Sequence, residues 1–172
     1  LAEFETAKNM NDRFAAFQRI VHLHGQKAAA GAIATFEEWY HGDPLIMDKW
    51  FSVIASAPGP KAVATVKKLM KHKAFTLKNP NRARSVLGAF AMANPTGFND
   101  ASGEGYWLMA GKIGEIDGFN PQIAARLLTT FRSHRMLEPK RRALAIEALE
   151  QLRSGHKLSR DSSEIVDRIL GN

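Results

Sequence analysis

Two arginines stand at the predicted start of a helix. In the stretch 75–90, Asn79-Pro80 has the form of an N-cap followed by a first-turn proline, and Arg82 and Arg84 follow within one turn. The positive end of the helix dipole disfavours cations at this position. Arginine is always charged, and its planar guanidinium binds carboxylates through paired hydrogen bonds. The two side chains therefore lie in solvent, form ion pairs within the domain, or bind an acidic group that comes from elsewhere.

The residues that commonly carry catalysis or bind metals do not form a known template in this chain. The six histidines are His22, His24, His41, His72, His134 and His156, and Glu follows none of them, so the H-E-x-x-H zinc motif is missing. Neither a G-x-S-x-G elbow nor a G-x-x-x-x-G-K-[ST] phosphate loop occurs. The chain has no cysteine, which excludes a disulfide framework and a thiolate zinc site. Taken alone, the sequence predicts neither catalysis nor a metal site, and the histidines are expected at surface or capping positions.

Positive charge is concentrated in one part of the chain. The net charge is +7, and neither Asp nor Glu occurs between Lys49 and Asn99. That stretch contains Lys49, Lys61, Lys67, Lys68, Lys71, Lys73, Lys78, Arg82 and Arg84. Such a block can attract nucleic acid or an acidic protein face. The alternative is a solvated surface whose acids lie elsewhere, and the lack of a recognisable nucleic-acid motif favours that alternative.

The length of 172 residues is typical of one domain. No apolar run approaches the roughly 20 residues of a membrane span, and no signal-peptide pattern is found at the start. The lack of cysteine suits a reducing compartment, and we expect a cytoplasmic protein. Because the first residue is Leu1 rather than Met, we expect the chain to be a piece of a longer protein.

Apolar residues recur at helical spacing along the chain, and no strand pattern is found. The periodicity predicts an all-α fold of about nine helices, with a glycine-rich loop over 97–105. Four helix-start signals divide the chain: Asp43-Pro44, Asn79-Pro80, Asn120-Pro121 and Ser159, which lie 36, 41 and 39 residues apart. A period near 40 residues with paired helices is typical of HEAT or armadillo repeats. We therefore predict a superhelical array of stacked helix pairs with a concave face, the alternative being a non-repeating bundle.

Several motifs, read in order, resemble one known domain. They are DPLIMDKWF (43–51), FTLKNPNRARSVLGAF (75–90), NPTGF (94–98), GEGYW (103–107) and NPQIAARLL (120–128). Together they are similar to the C-terminal helical domain of the bacterial aminopeptidase N family, which comprises zinc-dependent alanyl aminopeptidases of the gluzincin type. The resemblance covers most of the chain and is weaker before about Gly31 and after about Arg135.

The resemblance implies a division of labour between domains. The zinc site, the glutamate base and the motif that holds the substrate amine belong to a separate upstream catalytic domain of the parent. Residues 1–172 would then be a single C-terminal helical-repeat domain without catalytic residues and without a cofactor of its own. It would close over the catalytic domain of the same chain and wall off a cavity for peptide substrates. We expect no membrane partner, and nucleic acid is the less favoured partner.

The resemblance also suggests a role for the arginines. By this similarity Arg82, Arg84, Arg126 and the neighbouring Asn81 are candidates for lining the cavity and contacting substrate. Their partners would be peptide carboxylates or carbonyls, or acidic side chains of the catalytic domain. An ordinary ion pair inside this domain remains the alternative for each arginine. A different class of function, an independent helical-repeat module that binds nucleic acid or an acidic protein through its basic face, also stays open.

Overall fold

The computed structural model describes residues 2–171. Within that range the chain forms eleven helices and no strand, which confirms the all-α prediction. The helices are α1 (Ala2–Thr6), α2 (Met10–Ala28), α3 (Ala30–Tyr40), α4 (Pro44–Ser56), α5 (Ala62–Leu69), α6 (Pro80–Ala83, Arg84–Gly88 and Ala89–Ala93 in one continuous run), α7 (Pro95–Phe98), α8 (Glu104–Asp117), α9 (Pro121–Leu128, extended by a 3₁₀ segment Thr129–Met136), α10 (Pro139–Gly155) and α11 (Arg160–Leu170).

The four repeating start signals are all true N-caps. The Asp43 carboxylate accepts from the backbone N–H groups of the first turn of α4, and the Asn79 side chain does the same for α6. Asn120 caps α9 and Ser159 caps α11 in the same way. Each cap satisfies N–H groups that a helix start leaves without an internal partner. The predicted spacing of the helix starts is thereby confirmed.

Two short helices raise the number from about nine to eleven. One is α1, and the other is α7, which lies partly inside the predicted 97–105 loop. That loop prediction was too long, because the Asn94 side chain accepts from Gly97 N at 3.0 Å and starts a helical turn at Pro95. Asn94-Pro95 has the same Asn-Pro cap signal as Asn79-Pro80, and it starts a helix in the same way.

Successive helices pack on their neighbours along the chain. Helix α4 contacts α3, α5 and α6, while α8 contacts α7, α9 and α10, and α9 also contacts α11. Contacts between elements that are close in sequence are what stacked helical repeats produce. The packing agrees with the predicted array of helix pairs.

Two groups of aromatic side chains form much of the core. In the first half of the chain, the rings of Phe17 and Phe36 stack with their centroids 4.4 Å apart. In the second half, Phe98 meets Tyr106 edge-on at 5.2 Å and Phe131 at 5.6 Å. All five side chains are at most 2% exposed, and burying a large apolar side chain stabilises a fold by about 1.5–3 kcal/mol.

A buried carboxylate attaches the last helix to the domain. Asp117 ends α8 and is 4% exposed. Its two oxygens accept from Ser159 N at 2.5 Å, from Ser159 Oγ at 2.7 Å and from Ser162 Oγ at 2.5 Å. These three hydrogen bonds join the end of α8 to the start of α11, 42 to 45 residues further along the chain.

Candidate functional site

Helix α6 contains an irregular turn at the position of the arginines. The segment Arg84–Gly88 is π-helical, and Ala89 N donates to Arg84 O rather than to a carbonyl four residues back. Single π-helical turns inside α-helices occur often at functional sites because they widen the helix and redirect side chains. Periodicity in the sequence does not reveal such a turn, so it was not predicted.

The structure places Arg84 and Arg126 on the same hollow. This hollow, which we call the arginine hollow, lies between α6 and α9 and has a volume of about 290 Å³. Both arginines are exposed, and the rest of the lining is apolar or glycine: Gly88, Ala89, Met92, Ile123 and Leu127. Two guanidinium groups therefore lie beside a small apolar surface.

Local contacts orient Arg84 without neutralising it. Its Nε donates to Pro80 O at 3.3 Å, and its Nη2 donates to the side-chain oxygen of Asn81. Neither Arg84 nor Arg126 forms an ion pair with a carboxylate within residues 2–171. An anion placed beside either guanidinium would gain a favourable electrostatic contact. The arginine hollow is thus suited to a carboxylate, with Asn81 holding one of the two cations in place.

Arg82 does not line the arginine hollow and is buried against α4. Its side chain is 7% exposed, and Nη1 lies 3.1 Å from Oδ1 of Asp48 on α4. The guanidinium carbon lies 4.8 Å from the centroid of the Phe51 ring. Nε and Nη1 make no directed hydrogen bond to any group in the described part of the chain, so the contact with Asp48 is an ion pair without hydrogen-bond geometry. For Arg82 the structure therefore shows the intradomain alternative, and this side chain does not line the arginine hollow.

A larger hollow was not predicted from the sequence. It lies between α3 and α5 with α4 beneath, has a volume of about 860 Å³, and has four lysines on its edge: Lys27, Lys68, Lys71 and Lys73. Three of them belong to the stretch 49–99, which contains no Asp or Glu, and this was the only feature of the sequence that pointed to the hollow. Lys27 comes from α2, and only the folded chain brings it to the other three.

The histidines do not all lie at the surface. His134 is only 6% exposed, with Nδ1 3.0 Å from the carbonyl oxygen of Phe131, so the prediction of a surface or capping position is wrong for this residue. His72 Nε2 lies 2.9 Å from Oε1 of Glu37, and His22 Nε2 lies 3.0 Å from the carbonyl oxygen of Val53. Across residues 2–171, His, Asp and Glu side chains nowhere gather in a group of three that could hold a metal ion. None of the helices described is both long and apolar enough to cross a bilayer.

Known proteins resemble the chain over nearly its full length. It is 35% identical to aminopeptidase N of Escherichia coli (strain K12) over 98% of its own length and 34% identical to aminopeptidase N of Caulobacter vibrioides over 99%. The crystal structure of Legionella pneumophila aminopeptidase A in complex with aspartic acid superposes on 99% of the chain with a TM-score of 0.92 and 33% identity. The chain spans only 19–20% of these proteins' lengths.

These findings confirm the resemblance to a domain of aminopeptidase N. A protein family described as a domain of unknown function (DUF3458_C) with ARM repeats matches residues 1–171. This match agrees with the helix-start signals that repeat about every 40 residues and with the stacked helices. The chain belongs to this ARM-repeat domain family.

Proposed function

We propose that the chain is the C-terminal capping domain of a cytoplasmic zinc aminopeptidase that removes N-terminal residues from peptides. In this proposal it closes over the catalytic domain of the same polypeptide and forms one wall of the substrate cavity. Support comes from relatives named aminopeptidase N, which match almost all of the chain while being about five times longer.

In this proposal the zinc ion and the catalytic residues belong to the remainder of the parent. In this proposal the zinc ligands come from the catalytic domain, and residues 2–171 bring no three possible ligands together. The role of this domain would be to bind, orient and enclose the substrate. Excluding water from the cavity strengthens every electrostatic contact inside it.

The observation that carries the proposal is the arginine hollow. Arg84 and Arg126 come from different repeats and share one hollow, and neither forms an ion pair with a carboxylate in residues 2–171. The C-terminal carboxylate of a peptide has the charge and the shape to bind both guanidinium groups. We propose that the arginine hollow binds this end of the substrate, with Asn81 orienting Arg84.

The test compares three substrates in the full-length parent: a tetrapeptide with a free C-terminus, the same peptide as its amide, and an alanyl anilide. Arg84→Ala and Arg126→Ala should each lower kcat/KM for the free peptide by roughly 5- to 150-fold, because a charge-assisted contact contributes about 1–3 kcal/mol. The effect should be much smaller for the amide, which lacks the carboxylate, and negligible for the anilide.

Arg160→Ala is the matched control, since Arg160 is an exposed arginine that pairs only with Glu164 on the surface of α11. It should leave all three substrates unchanged, and the melting temperature should be the same in every variant. Equal loss on the peptide and its amide would mean that the arginines do not bind the C-terminal carboxylate. Unchanged kinetics on all substrates would remove the arginine hollow from the substrate path.

A further inference from the structure

The hollow edged by lysines, which we call the lysine groove, has an apolar floor. Ile33 of α3, Ile54 of α4 and Leu69 of α5 line it, together with Trp50. Its volume of about 860 Å³ lies within the range of sites that enclose small ligands or short peptide segments. The floor offers several apolar side chains to an occupant, which a merely solvated charged surface would not.

Two polar contacts mark the ends of the lysine groove. At one end the Thr65 hydroxyl donates to Gln26 Oε1 at 2.9 Å, and at the other His72 Nε2 contacts Glu37 at 2.9 Å. Each contact joins the α2–α3 side to the α5 side. Along α3 the lining runs from Ala30 to Glu37, which is about 10 Å at the helical rise of 1.5 Å per residue. An extended peptide covers that distance with about three residues.

The rim of the lysine groove carries an excess of positive charge. Lys27, Lys68, Lys71 and Lys73 are all exposed, and none of them forms an ion pair with another described residue. Glu37 is the single carboxylate of the lining, and His72 already contacts it. Several cations around a short apolar floor favour an occupant with several negative charges over one that carries a single charge.

We propose that the lysine groove binds an acidic peptide segment of a separate protein, with apolar side chains on the floor and carboxylates toward the lysines. Charge complementarity argues for this occupant, because four lysines surround a lining whose single carboxylate, Glu37, is already in contact with His72. Single-stranded nucleic acid would need an exposed aromatic ring for base stacking. Trp50 is 4% exposed and its indole N–H donates to Ile33 O at 3.0 Å, so it offers no such face.

The test measures binding of a fluorescein-labelled peptide to the 172-residue chain by anisotropy. The peptide has two leucines flanked by glutamates, and a control peptide has lysine in place of every glutamate. The acidic peptide should bind, its affinity should fall as salt is added, and the lysine peptide should not bind, since the attraction is electrostatic and screened. The result does not depend on peptidase activity, so it stands or fails separately from the capping-domain proposal.

Charge reversal locates the site. The double variant Lys68→Glu, Lys71→Glu should lower the affinity for the acidic peptide on the order of tenfold or more, because each substitution replaces an attraction by a repulsion. The control is Lys61→Glu, Lys78→Glu, which changes net charge equally at exposed lysines that lie outside the groove lining. This control should weaken binding far less. Equal loss in both double variants would show a net-charge effect and overturn the proposal.

Nuclear magnetic resonance supplies a second readout through the indole N–H signals of Trp39, Trp50 and Trp107, assigned with Trp39→Phe and Trp107→Phe. The acidic peptide should shift the Trp50 signal most, because only Trp50 lines the lysine groove. If a DNA oligonucleotide or laurate shifted the Trp50 signal and bound more tightly than the peptide, the assignment of a peptide ligand would be overturned. If the peptide bound without shifting the Trp50 signal, its placement in the lysine groove would be overturned.

Discussion

Replacement of Asp117 by alanine tests whether one buried carboxylate holds the last helix in place. Asp117 is 4% exposed and accepts three hydrogen bonds, from Ser159 N, Ser159 Oγ and Ser162 Oγ. Alanine would leave these three donors without their acceptor, and Ser162 is fully buried. The side chain also lies at the N-terminus of α11, where the helix dipole favours a negative charge.

The magnitude follows from the donors that lose their partner. A buried donor left unsatisfied costs about 1–3 kcal/mol, and water can reach the half-buried Ser159 in the variant. We therefore expect Asp117→Ala to lower the free energy of unfolding by about 3–5 kcal/mol. Asp117→Asn keeps one acceptor oxygen and the shape, so it should cost about half as much. Domains of ordinary stability have only about 5–15 kcal/mol in total, so the alanine variant should be near its limit at 37 °C.

The assay is urea unfolding of the 172-residue chain followed by circular dichroism. Asp161→Ala is the matched control, because Asp161 is an exposed acid in the first turn of the same helix and should cost at most about 1 kcal/mol. A double-mutant cycle with Ser162→Ala should give a coupling energy of about 1 kcal/mol or more, since the two side chains share one hydrogen bond. A loss for Asp117→Ala no larger than that for Asp161→Ala, or an additive cycle, would refute the reasoning.

Two further predictions concern α8. Gly105→Ala should lower the free energy of unfolding by about 1–3 kcal/mol, because a Cβ there would overlap the carbonyl oxygen of Phe98, whereas Gly111→Ala in the same helix meets no neighbouring atom and should stabilise by about 0.5–1 kcal/mol. Changes of opposite sign in the free energy of unfolding, measured with urea, would support this packing, and equal changes would contradict it. The second prediction concerns Tyr106, whose hydroxyl donates to Asn99 Oδ1 and whose pKa is raised by burial from 10.0 to about 12. Between about pH 10 and 12 the Tyr106 hydroxyl therefore stays protonated in the folded state and is deprotonated in the unfolded state. The free energy of unfolding should fall as the pH rises through this range. Tyr106→Phe should show a shallower fall in urea midpoint over that range, and an unchanged slope would contradict the assignment.

The helix starts could be predicted from the sequence because they depend on neighbours in the chain. A cap acts through hydrogen bonds that reach two or three residues onward, as at Asp43, Asn79 and Asn120, and a following proline is compatible only with the first helical turn. The period near 40 residues followed from those starts. The same logic was available at Asn94-Pro95, and the short helix α7 was missed because the glycine-rich stretch 97–105, which overlaps it, was predicted as a loop.

The roles of the arginines were decided by tertiary structure. Arg82 and Arg84 are two residues apart, so they project about 200° from each other around an α-helix, and the π-helical turn changes the angles further along. Which of them would meet Asp48 depended on how α6 packs against α4. Sequence patterns report the periodicity of one helix, and they do not report which neighbour it meets.

Other parts of the molecule also depend on residues that are far apart in the sequence and close in the fold. The arginine hollow joins residues 42 positions apart, Arg84 and Arg126, and the lysine groove has both Lys27 and Lys71 in its lining. The three donors around Asp117 come from more than 40 residues away. The sequence by itself determined the helices, their caps and their period, because those depend on interactions within a turn of the chain. The tertiary structure alone decided which charges are paired, which are left free and which share a cavity, because those depend on how separate helices stack.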